Sequence, residues 1–359
     1  MKVLSLFDGI AGCRQALKEL NIDCDYYASE IDKYAIQISK ANHPDIIHLG
    51  DVKDLWTHRL SSYDAEGYED DGEPIILHYG KDKEDTWGGD FDLLIAGFPC
   101  QSFSIAGNQK GFEDERGQLF FELLRILEQV KPKYFLFENV ASMSKANQAF
   151  ISEKLGVEPI MINSAKLTAQ QRKRLYWTNI PNVDQPEERG IVLKDIIEDG
   201  FVDREKSHAI ISSIGRTTHR EYFKKNQGQV VFKANNGKKV EVDLLKDFYA
   251  FREVRTEEGK RKRAEFRKLT GLDSTKRGAG DKKFIPKNDG KANCLTTGLG
   301  IEGVIKIKDM VRKLTPIECE RLQGFPDGYC SMVSNTQAYK ALGNSFIVPV
   351  IKHILRHII

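Results

Sequence analysis

Apolar positions in the first 180 residues follow two alternating periods. Short, nearly continuous apolar runs occur at Val3-Leu4-Ser5-Leu6-Phe7, Leu93-Leu94-Ile95-Ala96, Tyr134-Phe135-Leu136-Phe137 and Ile160-Met161-Ile162. Runs of that length and density suit strands buried on both faces. Between them, apolar residues recur three and four apart. Ala16, Leu17 and Leu20 mark a helix over 13–20, residues 31–42 form a second one closed by His43-Pro44, and Leu119, Phe120, Leu123, Leu124, Ile126 and Leu127 mark a third over 117–130. Weaker runs at 24–29 and 46–49 complete a strand–helix alternation. The pattern predicts an α/β fold opening with a Rossmann-like strand, glycine loop and helix.

The pattern then loosens. Residues 61–89 have no long period and read as an excursion on the sheet rim. Pro181 and Pro186 mark a boundary. Beyond it, 230–234 and 240–242 flank Asn235-Asn236-Gly237 and predict a hairpin, and 257–268 a charged helix. Near the end Thr315-Pro316 is a helix start. Residues 338–342 read as helix, Gly343-Asn344-Ser345 as an interruption, and 348–359 as a last apolar helix. No internal repeat occurs.

Size and charge sharpen this picture. A chain of 359 residues with 40% hydrophobic content can form one large domain and a smaller one. No apolar run is long enough to cross a membrane, and the N-terminus does not read as a signal peptide. The six cysteines lack CxxC spacing, which predicts free thiols in a reducing cytoplasm. No disulfide frame, zinc finger or other metal site is expected. The net charge of +2 hides an asymmetry: 63–92 hold 11 acids against 2 bases, whereas 204–291 hold 24 Lys/Arg against 12 Asp/Glu. The second segment therefore suits a polyanionic partner. Within it Arg216, Arg220, Lys224 and Lys225 interleave with Tyr222 and Phe223, as nucleic-acid surfaces do.

Candidate chemistry falls at strand tips. In Asp8-Gly9-Ile10-Ala11-Gly12 the glycines let the backbone approach a ligand closely. Glu30 and Asp51 end the next two strands, where carboxylates can bind a ribose and an exocyclic amine. Cys100 follows Gly97-Phe98-Pro99 at a strand exit, a place for a nucleophile. Taken alone it would more often be a small buried hydrophobe. Glu138, ending the neighbouring strand, is a general acid/base candidate. Arg172 and Arg174 alternate on a further strand and would point the same way, to fix a carboxylate and a carbonyl.

These residues, in this order, resemble the C5-cytosine DNA methyltransferases. The shared motifs are Phe7-Asp8-Gly9-Ile10-Ala11-Gly12, Glu30, Gly50-Asp51-Val52, Gly97-Phe98-Pro99-Cys100-Gln101-Ser102, Glu138-Asn139-Val140, Gln170-x-Arg172-x-Arg174, Arg321-Leu322-Gln323-Gly324-Phe325-Pro326 and Gly343-Asn344-Ser345. Residues 163–181 also look like the animal de novo enzymes, although Gln after Cys100 follows bacterial members. Asp8 departs from the Ala of many members.

The resemblance implies a Rossmann-like class I methyltransferase domain using S-adenosylmethionine, with a smaller, mostly irregular or β target-recognition domain. It implies a catalytic domain over 1–181 carrying the acidic 61–89 excursion, a target-recognition domain over 182–310, and a return to the first domain over 311–359. Cys100 would attack cytosine C6, Glu138 would donate to ring N3, Arg174 would hold the base carbonyl and Arg172 would steady the loop. Phe7, Asp8, Gly9, Ile10, Ala11 and Gly12 would hold the methionine end of the cofactor, Glu30 and Ile31 the ribose region, and Asp51 and Val52 the adenine. Pro99, Leu119, Asn344 and Ser345 would lie around them.

Gln101, Ser102 and Ser104 would join the basic residues on a flipped-out duplex base. The implied partner is double-stranded DNA, in a restriction-modification or phage self-protection setting, with the protein acting as a monomer. Two other readings are a transfer RNA cytosine methyltransferase and a non-catalytic DNA-binding protein on the same frame. Adenine or N4-cytosine methylation is disfavoured, because no Asp/Asn/Ser-Pro-Pro-aromatic loop occurs.

Overall fold

The computed structural model describes residues 1–59, 75–79, 85–88, 90–99, 115–210, 212, 222, 228–233, 251–255, 282–286 and 311–358. Helices and strands alternate at first: β1 (Lys2–Leu6), α1 (Gly12–Glu19), β2 (Asp25–Ser29), α2 (Lys33–Asn42) and β3 (Ile47–Gly50). The 56–88 region carries β4 (Trp56–Arg59), β5 (Ile75–Tyr79) and β6 (Asp85–Gly88). Next come β7 (Leu93–Ala96), α3 (Glu115–Val130), β8 (Tyr134–Val140), α4 (Lys145–Leu155), β9 (Ile160–Asn163), β10 (Gln170–Gln171) and β11 (Lys173–Thr178). The later strands are β12 (Ser207–His208), β13 (Val230–Phe232), β14 (Phe251–Arg255), β15 (Lys282–Pro286) and β16 (Val311–Lys313). The chain ends with α5 (Pro316–Gln323), α6 (Asn335–Asn344) and α7 (Val348–Leu355).

Seven strands form the main sheet in the order β3-β2-β1-β7-β8-β11-β9. The β1/β2, β2/β3, β1/β7 and β7/β8 pairs are parallel, and β11 runs antiparallel between β8 and β9. All four residues of β7 are buried, as the unbroken apolar run requires. One cluster contains Leu4, Leu6, Leu94, Ala96, Phe137 and Trp177 together with Phe120, Leu123 and Ile126 of α3. The chain winds outward from β1 through β2 to β3 and then returns to β7 beside β1. That reversal opens a crevice at the carboxyl ends of β1 and β7, where ligands bind in such sheets.

The chain divides into two compact units: 1–196 with 204–215 and 315–359, and 197–203 with 216–314. The expected boundary at 182 thus falls inside the first unit. Lys206 accounts for part of this: its ammonium donates to the carbonyls of Ala165 (2.6 Å), Thr168 (3.3 Å) and Ile191 (2.7 Å) and pairs with Glu188. The β12 strand also pairs with β10. In the first unit α7 packs on α1, with Lys352 paired to Glu19. The α5 start is as expected, with Thr315 and Glu318 forming a reciprocal capping box and Pro316 opening the helix.

Two expectations are corrected. The acidic excursion is not patternless, because β4, β5 and β6 make an antiparallel sheet. Ile75, Ile76 and Leu77 supply strand-forming residues in a stretch too short to show a period. In the second unit Val230–Phe232 pairs with Val311–Lys313, and the second strand of the expected hairpin, 240–242, lies outside the described residues. Phe232 also bridges and stacks on Phe201, and a Cβ on Gly200 would come 2.4 Å from the Phe232 carbonyl oxygen, so that turn requires glycine. Lastly, α6 runs through Gly343 and Asn344, with Ser345 as its cap. The expected 257–268 helix lies outside the described residues.

Candidate active site

The glycine loop after β1 is bent by three left-handed residues, Phe7 (φ 56°), Gly9 (φ 63°) and Ala11 (φ 61°). Non-glycine residues pay for that conformation, which marks the loop as shaped for something other than stability. The Gly9 N–H donates to Glu30 Oε2 (2.8 Å), and Glu30 Oε1 accepts from the N–H groups of Ile31 and Asp32 (both 2.8 Å). A Cβ on Gly9 would meet nothing within 4 Å, so the loop faces open space there. Ile31, beside Glu30, is 71% exposed, an apolar side chain left bare next to a fixed carboxylate. Asp51 accepts from the Lys53 N–H (3.0 Å), and Val52 is buried.

Asp8 is turned inward. Its Oδ1 accepts from Ser5 (2.6 Å) and Tyr26 (2.7 Å), while Oδ2 is buried with no hydrogen-bond partner among the described residues. Burial pushes this carboxyl up to about 6. Ile10, Ala11 and Gly12 are also buried. Farther along, Ser345 is buried and donates to the Leu342 carbonyl (2.9 Å), Asn344 is exposed, and Leu119 packs at the edge of the core cluster.

On the other side of the crevice Arg174 Nε lies 2.6 Å from Glu138 Oε1, with both side chains only 15% exposed. Strands β8 and β11 create this pair: Arg174 stands opposite Val140, and Tyr176 opposite Glu138. Burial, followed by the Glu138 charge, pushes the Tyr176 hydroxyl up. Asn139 donates to the Phe98 carbonyl (3.3 Å) and accepts from the Val140 N–H (2.8 Å). It thereby ties β8 to the chain leaving β7, which continues through half-buried Pro99 toward Cys100. A Cβ on Gly97 would lie 3.0 and 3.1 Å from the Phe346 ring and 3.7 Å from Glu138 Oε2. The β7 exit, Glu138 and Phe346 are therefore close together.

Arg172 and Arg174 take different partners. Arg172 lies between β10 and β11 and is 5% exposed. It donates to the carbonyls of Ile210 (2.8 Å), Gly343 (3.1 and 3.2 Å) and Ser345 (3.3 Å). Phe346 was missed by sequence reasoning, since a single apolar residue after Gly343-Asn344-Ser345 has no period to announce it. Cys100, Gln101, Ser102, Ser104, Arg216, Arg220, Lys224 and Lys225 all lie outside the described residues. Cys13, Cys24, Cys319 and Cys330 are free. Asp184, His353 and His357 are close enough to share an ion, but Arg356 already donates to the same Asp184 oxygen (2.9 Å) and balances its charge.

The donor set fits a nucleoside-bearing sulfonium cofactor: an open glycine loop, a fixed tip carboxylate, a bare aliphatic side chain and a second tip acid. The family model for C-5 cytosine-specific DNA methylases matches residues 1–359. The chain belongs to that family. As a member of the DNA methylase family it is an S-adenosylmethionine-dependent methyltransferase. It is similar to the type II methyltransferase M1.ScrFI of Lactococcus lactis subsp. cremoris, at 31% identity over 98% of this chain and 76% of the relative. It is also similar to M.HhaI of Haemophilus parahaemolyticus, at 27% identity over 100% and 94%. A DNMT2 structure from Spodoptera frugiperda shares the methylase fold at TM-score 0.56 and 18% identity, over 99% of this chain and 98% of that one. No helix among the described residues of the methylase is long and apolar enough to cross a membrane.

Proposed function

We propose that this methylase transfers a methyl group to C5 of a flipped-out cytosine in double-stranded DNA, through a transient bond from Cys100 to C6. The observation that carries the proposal is the Glu138–Arg174 pair beside Gly97 at the β7 exit, three residues before Cys100 in sequence. Cytosine C5 is not nucleophilic. Addition of the Cys100 thiolate to C6 makes it enamine-like, with charge developing at N3 and the exocyclic carbonyl. The Glu138 carboxyl donates to N3 and Arg174 to the carbonyl, which stabilises that charge. S-adenosylmethionine supplies the methyl group. The C5 proton is then lost to solvent water, the electrons of that bond re-form the C5–C6 double bond, Cys100 leaves as thiolate, and N3 returns its proton to Glu138.

Glu30, Ile31, Asp51, Val52 and the 7–12 loop hold the cofactor, with Pro99, Leu119, Asn344 and Ser345 around it. The 197–203 and 216–314 unit reads the target sequence, and its basic residues grip phosphates. The protein acts as a cytoplasmic monomer, with or without a cognate restriction endonuclease.

Bisulfite sequencing of plasmid from expressing cells tests the activity and reveals the sequence context. Labelled DNA and transfer RNA offered in parallel test the substrate, and methyl transfer to RNA alone overturns the proposal. A 5-fluorocytosine duplex should trap a covalent adduct at Cys100. Cys100→Ser should abolish turnover and leave cofactor binding intact, so a variant with normal turnover excludes the covalent route.

A further inference from the structure

In the function proposed above Arg174 lies on the base side of the crevice, and Asn344 and Ser345, at the end of α6, on its cofactor side. A buried polar network joins the two. Gln170 and Arg172 precede Arg174 on the same stretch of chain. Gln170 Oε1 accepts from the Ile210 N–H (2.8 Å), and its amide donates to the Leu322 carbonyl (3.4 Å) and to Gln323 Oε1 (3.5 Å). Gln323, at the end of α5 and fully buried, donates in turn to the Leu342 carbonyl in the last turn of α6. Arg172 takes the next carbonyls, those of Gly343 and Ser345.

The last carbonyls of a helix have no partner within it, and they form the negative end of its dipole. Here those of α6 are met by a buried guanidinium and a buried carboxamide. Such a network is costly when half-made and rigid when complete. Leu342 also accepts from Ser345, and what Gln323 adds is a tie to Gln170.

We infer that Gln323 is a positioning residue that, through Gln170 and Arg172, holds the end of α6 in register with the strand carrying Arg174. Asn344 and Ser345 then present a preformed edge to the cofactor. This inference rests on the function proposed above. Its readout is the binding of S-adenosylhomocysteine by calorimetry, which needs neither DNA nor turnover.

Two substitutions separate hydrogen bonding from packing. Gln323→Ala removes both, whereas Gln323→Met keeps the volume and removes only the hydrogen bonds. For Gln323→Met the dissociation constant for S-adenosylhomocysteine should rise about tenfold, the loss expected for roughly one buried hydrogen bond. The KM for S-adenosylmethionine should rise in parallel, with kcat at saturation within about threefold of the parent, as for an interaction made equally in ground and transition states. Gln323→Ala should show at least the same rise. Parental affinity in Gln323→Met, even with a lowered melting temperature, overturns the inference, because the residue would then be structural only. If the parent enzyme itself fails to bind S-adenosylhomocysteine, the proposed function fails instead.

Discussion

Glu30 and Glu138 are the same residue type at the same edge of one sheet, yet they are held differently. The Glu30 carboxylate accepts from three backbone N–H groups, those of Gly9, Ile31 and Asp32. Its orientation follows from the shape of the loop. Glu138 is held by a side chain, the Arg174 guanidinium. A backbone cradle cannot trade partners without unfolding locally, whereas a side-chain ion pair can open to admit a third group. The first arrangement suits an acid that binds and the second an acid that must act on an incoming base.

Substitutions at the two acids should therefore separate along kinetic lines. Glu138→Gln should lower kcat about 10²–10⁴-fold, the range for loss of a general acid/base, with S-adenosylhomocysteine affinity unchanged by calorimetry. A variant with parental kcat would remove Glu138 from the chemistry. Glu30→Ala should do the reverse, raising the cofactor KM about tenfold or more through loss of charge-assisted hydrogen bonds while kcat at saturation changes little. If both variants lose kcat alike, the contrast between binding acid and acting acid is wrong.

A third carboxyl, Asp8, supplies the smallest effect, and it is one of stability. Burial raises it from 3.8 to about 6, so between those pH values the folded chain holds more protons than the unfolded one. The contribution of this group to stability is then greatest below about pH 4 and is lost as the pH rises to 6. Asp8→Asn removes this titration, and its amide oxygen can still accept from Ser5 and Tyr26. The variant should gain at most about 3 kcal/mol over the parent at pH 7.5. Denaturant melts at pH 7.5 and pH 4 should show the gain shrinking in acid. A gain independent of pH would mean that Asp8 is not the titrating group.

Tip acids, glycine loop and helix caps were legible because each is a local signal. The apolar run Tyr134-Phe135-Leu136-Phe137 announces a strand, which in the structure continues through Glu138 to Val140. Thr315-Pro316 with Glu318 is enough to start a helix, and the structure has that capping box. The β13–β16 pairing was not legible, since its partners lie about eighty residues apart. The β4–β6 sheet was hidden because its strands are shorter than any window in which a period can be counted.

The sequence alone determined which chemistry is present: a thiol, two strand-tip glutamates, a glycine loop and two arginines, in the order of one family. Those properties reside in residue type and short-range backbone preference, and they need no partner. Only the tertiary structure decided what each arginine does. Two residues apart and chemically identical, Arg174 meets a carboxylate because β8 runs beside β11, and Arg172 meets carbonyls because the end of α6 returns 171 positions later. A side chain takes its role from what the fold brings against it, and a contact between segments so far apart leaves no periodic trace in either.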